Sequence, residues 1–74
     1  MTREYRVMLD PEPGGGYSVW VPVLPGCVSQ GETTDEALVN IREAIQAYIE
    51  SALKHGDPLP SEETMTEAIV EVMV

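Results

Sequence analysis

Tyr5, Val7 and Leu9 alternate with Glu4, Arg6 and Met8. This is the period-two pattern of a strand with one buried face, and it predicts a first strand over residues 3–9. Residues 10–16 follow, with two prolines and three glycines. The prolines remove ladder donors and the glycines permit positive φ, so neither regular element continues and a hairpin loop is expected. Tyr17, Val19 and Val21 then alternate with Ser18 and Trp20, in a second strand that ends at Pro22. Pro25 and Gly26 fit the two central positions of a type II turn. A short third strand over residues 27–30 leads to Gly31. Short links between the three strands favour an antiparallel meander, because parallel neighbours need a crossover of about a dozen residues or more.

The period changes at Thr33. Thr33 and Glu36 form a threonine-x-x-glutamate capping box, in which Thr33 is the N-cap and Glu36 reaches back to its amide. Ala37, Leu38, Ile41, Ala44, Ile45, Tyr48, Ile49, Ala52 and Leu53 recur at three- and four-residue steps among polar residues. They predict one amphipathic helix of about 22 residues, roughly 33 Å long. Lys54 and His55 sit at its negative end, and Gly56 is a natural left-handed cap. Beyond a linker containing Pro58 and Pro60, Ala68, Val70, Val72 and Val74 alternate with Glu67, Ile69, Glu71 and Met73. That alternation predicts a last strand.

The order expected is β-β-β-α-β, an α+β fold in which one long helix covers one face of the sheet. After the crossover helix, the last strand is expected to lie parallel beside the first, through a right-handed connection. Met8, Trp20, Ile69 and Met73 would then share the sheet face that has no helix. Four large apolar side chains there form a patch that monomers avoid. A homodimer, a homotetramer or another protein partner is expected to cover it.

Size and charge narrow the function. The 74 residues (8.1 kDa) make one domain spanning residues 1–74. A chain of this size buries only about 60% of its unfolded surface, which again favours self-association. The single cysteine, Cys27, cannot form an intramolecular disulfide, and a reducing, cytoplasmic setting is expected. No apolar run approaches the roughly 20 residues of a membrane span, and the N-terminal residues lack the apolar core of a signal peptide. Thirteen acidic against four basic residues give a net charge of −9. Residues 1–31 carry net −1 and residues 32–74 net −8. Such a surface repels phosphate backbones, so direct nucleic-acid binding is disfavoured and a basic protein partner is favoured. The alternative is that the charge only keeps a small protein soluble.

Residues 15–37 contain Gly16 and Tyr17, a strand, Pro22, then Pro25, Gly26 and Cys27, then Gly31, Thr33 and the pair Glu36 and Ala37. This run resembles the HicB-like antitoxin domain. The helix, its stop at Gly56, the proline linker and the valine-rich end extend the resemblance over nearly the whole chain. It implies a partial ribonuclease-H-like fold that, in toxin–antitoxin operons, binds and blocks a small basic toxin that cleaves messenger RNA. Full-length members commonly continue into a C-terminal DNA-binding domain. With the sequence ending at Val74, no such domain is expected in this chain, and no autoregulation by it is implied.

Other constellations are weaker. A ribonuclease-H-like nuclease needs several carboxylates converging on divalent metal. Asp10, Glu36 or Glu43, and Glu67 or Glu71 are the candidates, and surface carboxylates are the favoured reading of all of them. His55 has no neighbouring nucleophile and suits a helix C-terminus. Cys27 has no adjacent cation to activate it and reads as a small buried residue. Gly14, Gly15 and Gly16 lack the lysine and hydroxyl residue of a phosphate-binding loop. No cofactor, metal or catalytic residue is expected. The favoured function is a non-enzymatic, antitoxin-type interaction protein that neutralises a small basic ribonuclease toxin. A stand-alone oligomeric domain with an unrelated binding role, and a residual metal-dependent ribonuclease, are the alternatives.

Overall fold

The computed structural model describes residues 3–62 and 66–74. Its elements are β1 (Met8–Pro11), β2 (Tyr17–Trp20), β3 (Val28–Gly31) and α1 (Thr34–His55). The strands form one sheet in the order β1-β2-β3, with both pairs antiparallel. The α+β meander and its single long helix are therefore as the alternation predicts.

β1 begins and ends later than the expected residues 3–9. Register explains the shift. Met8 pairs with Trp20, so Arg6 would face Pro22, which has no N–H to give to a ladder. Past Trp20 the chain also turns, with the Leu24 amide donating to the Val21 carbonyl at 3.0 Å. At the other end Asp10 and Pro11 remain paired with Ser18 and Tyr17. Pro11 is tolerated because β1 is an edge strand. The hairpin tip is closed by the Gly15 amide on the Glu12 carbonyl (3.0 Å) and the Glu12 amide on the Gly16 carbonyl (2.9 Å).

The turn between β2 and β3 forms around Pro25 and Gly26, with the Cys27 amide donating to the Leu24 carbonyl at 3.0 Å. Gly26 has φ 80°, which the second central position of a type II turn demands. This turn drives Leu24, 0% exposed, and Cys27 into the core with Val19, Val21 and Val23. Ala37 and Ile41 of α1 complete that cluster.

α1 starts and stops where its caps dictate. Thr33 Oγ1 accepts from the Glu36 amide at 3.1 Å. Glu36 thus contributes its backbone to the cap, while the residue itself is solvent-exposed. At the other end Gly56 adopts φ 71°, and the Gly56 and Asp57 amides donate to the Leu53 and Ala52 carbonyls at 3.3 and 2.9 Å. That pair of bonds is a Schellman motif. The Asn40 side-chain amide ties the helix to β3 by donating to the Gln30 carbonyl at 2.7 Å.

The expected fourth strand does not form. Residues 66–74 pair with no strand and are exposed, Ile69 at 98% and Met73 at 100%. The Arg6 amide donates to Glu62 Oε1 at 2.6 Å, just before this segment. The radius of gyration is 14.3 Å, against about 11 Å for a compact chain of this length. Among the described residues the sheet holds three strands, and the fourth strand of a partial ribonuclease-H-like arrangement is not seen there.

Candidate functional site

Two surfaces stand out, one on each side of the sheet. On the side away from α1, Met8, Trp20 and Val28 form a row across all three strands, because Met8 pairs with Trp20 and Trp20 with Val28. Met8 is 44% exposed, Val28 is 64% exposed and Trp20 is half-buried between them. Their strand neighbours Leu9 and Val19 point to the opposite side and join the core. The structure therefore brings Met8 and Trp20 together. It leaves Ile69 and Met73 apart from them, in the exposed segment 66–74. Val28 takes their place in the row. Only the register supplied by the Pro25 and Gly26 turn puts Val28 on this face.

On the helix side, a groove of about 740 Å³ runs between residues 3–7 and α1. Its walls include Tyr5, Val7, Ile41, Ile45 and Ile49, with Arg3 and Arg42 also lining it. The Tyr5 hydroxyl is buried and has no hydrogen-bond partner among the described residues. Sequence periodicity missed this groove, because it joins segments more than thirty residues apart, and only the packing of the helix on the sheet brings them together.

The motif residues lie at turns, at the helix cap and at the contact between β3 and α1. Gly16 closes the hairpin, and Tyr17 packs half-buried against the core. Pro22 is exposed in the turn that follows β2, and Pro25 and Gly26 shape the next. Gly31 lies against Ala37, and Thr33 caps the helix. Burial pushes the Cys27 thiol above its ordinary pKa. The neutral thiol is a poor nucleophile. His55 Nδ1 lies 2.7 Å from the Ser51 carbonyl oxygen. That oxygen can only accept, so Nδ1 carries the hydrogen, and the ring is held to its own helix end. Asp10 sits on β1 opposite Ser18. No group of three or more histidine, cysteine, aspartate or glutamate side chains is arranged to hold a metal ion among the described residues. Nor is any helix there long and apolar enough to cross a membrane.

A capped helix laid over an antiparallel meander, with these residues at the turns, defines a small α+β domain. Residues 5–72 match the family described as HicB_like antitoxin of bacterial toxin-antitoxin system. The chain belongs to that family. It is similar to a UPF0150 protein of Thermoplasma acidophilum, with 53% identity over 77% of this chain and 83% of that protein. It is also similar to a UPF0150 protein of Synechocystis, with 45% identity over 88% of this chain and 82% of that protein.

Proposed function

We propose that this chain is a non-enzymatic antitoxin-type protein that binds a small basic toxin which cleaves messenger RNA, and neutralises it by covering its active surface. The family match over residues 5–72 carries this reading. Charge supports it: at net −9, with ten of the thirteen acids between residues 32 and 74, the chain attracts a cationic partner and repels that partner's RNA substrate. The row formed by Met8, Trp20 and Val28 supplies an apolar anchor of the kind that interface cores use. The inert settings of Cys27 and His55 agree with a role without covalent or acid–base chemistry. Action in the cytoplasm, where such a toxin meets its messenger RNA, follows from the same reading.

The test is co-expression. A neighbouring reading frame should encode a small basic protein that arrests growth, and this chain should relieve the arrest and co-purify with that protein. Arrest that persists at full expression of this chain would overturn the proposal and leave the stand-alone oligomeric domain as the better reading. Magnesium- or manganese-dependent RNA cleavage that disappears in Asp10→Asn would instead establish the residual nuclease.

A further inference from the structure

We propose that residues 67–74 form an exchange arm, which in a dimer lies along the open β1 edge of a second copy and fills that copy's groove between residues 3–7 and α1. The arm has the pattern of a strand and none of its contacts: Val70 is 81% exposed and Val72 is 72% exposed. A strand with one apolar face, standing free in water, is an unsatisfied element. The receptor is equally incomplete. Among the described residues β1 has β2 as its one ladder neighbour, so its outer edge is open to strand addition. Beside that edge lies the groove of about 740 Å³, with Val7, Ile41, Ile45 and Ile49 in its walls.

The two parts match in apolarity, and Arg6 on the edge segment offers a cation on the side away from the groove. The arm carries Glu67 and Glu71 between its apolar residues. Alternation lets Val70, Val72 and Val74 enter the groove while Glu67, Ile69, Glu71 and Met73 take the other side of the extended sheet, level with Arg6 and Met8.

The occupant is a second copy and not the same chain. In its own chain the arm pairs with no strand and stays exposed, so it fills neither the β1 edge nor the groove. Reciprocal exchange then closes both grooves about a two-fold axis, as domain-swapped dimers do. The inference is independent of any toxin.

The test uses the whole chain and two variants. Val70→Asp alters the arm, where the side chain is exposed and the fold is untouched. Ile49→Asp alters the groove, outside the buried cluster. Circular dichroism verifies the helix in both. The wild type is expected to sediment as a dimer or a multiple of one. Each variant should raise the dissociation constant by at least about tenfold and halve the mass at low micromolar concentration. An equimolar mixture of the two should recover the larger mass, because the intact arm of one fits the intact groove of the other. A monomeric wild type, variants that leave the mass unchanged, or a mixture that stays as small as its components would each overturn the proposal. The last of these would show that the arm closes on its own chain.

Discussion

Gly31 of β3 lies so close to Ala37 of α1 that a Cβ on Gly31 would fall 2.8 Å from the Ala37 Cα. Ala37 is 0% exposed, and the three atoms nearest that Cβ, from Glu36 and Ala37, are all backbone, so none can swing aside. Gly31 is absent from the positive-φ residues, which leaves steric exclusion as the reason for glycine here. Gly31→Ala is expected to destabilise the fold by about 2 kcal/mol, the usual magnitude for overpacking. Gly14→Ala is the control, because nothing lies within 4 Å of a Cβ there. It should be neutral, or stabilising by up to about 1 kcal/mol through the unfolded state. Urea unfolding of both variants checks the contrast.

The elements that could be read from sequence are those whose determinants are local. α1 runs over Thr34–His55 because Thr33 and Gly56 cap it, and both caps act within a turn of the helix end. The Pro25 and Gly26 turn is similarly self-contained. β1 was displaced because a strand's limits belong to its partner, and Pro22 denies a partner to Arg6. The valine alternation of residues 68–74 describes a strand that finds no neighbour among the described residues. Of the candidate site, Met8 and Trp20 followed from alternation, whereas Val28 needed the register and the groove needed the docked helix.

Burial of Cys27 makes stability depend on alkaline pH. Its thiol pKa is raised by desolvation, so the folded state holds the proton more tightly than the unfolded state. The stabilisation is therefore complete below the unfolded thiol pKa of about 8.5, and is lost as pH rises through the folded value. Cys27→Ala lacks this titration. The stability of the wild type relative to Cys27→Ala should fall between about pH 8 and pH 10, by urea unfolding at each pH. A difference that stays flat over that range would show that the thiol is not desolvated. Native Cys27 should also resist iodoacetamide at neutral pH and react once urea unfolds the chain.

The Tyr5 hydroxyl is buried without a partner among the described residues, and an unsatisfied buried polar group carries a desolvation penalty of about 1–3 kcal/mol. Tyr5→Phe keeps the ring that packs against the core and removes that group. It should therefore stabilise the chain, by about 1 kcal/mol, where most core substitutions destabilise. Thermal unfolding by circular dichroism reads the sign directly.

Trp20 stands between Met8 and Val28 in an apolar row on the helix-free side of the sheet. Tryptophan is enriched among residues that dominate interface energies, because it covers a large area with few torsions to freeze. If this row is a docking face, Trp20→Ala should weaken the association made through it by at least about 2 kcal/mol, roughly thirtyfold. The isolated fold should lose less, since Trp20 is only half-buried and the core lies on the other side. Val39→Ala, on the exposed surface of α1 at 59% exposure, removes apolar area away from the row and is the control. Sedimentation of the purified chain and capture of the co-expressed toxin separate the two partners this face can serve. A loss of mass alone assigns Trp20 to self-association, and a loss of capture alone assigns it to the toxin. If neither measurement moves more than it does for Val39→Ala, the row is ordinary surface, and the apolar contacts of this protein lie in the groove and the arm.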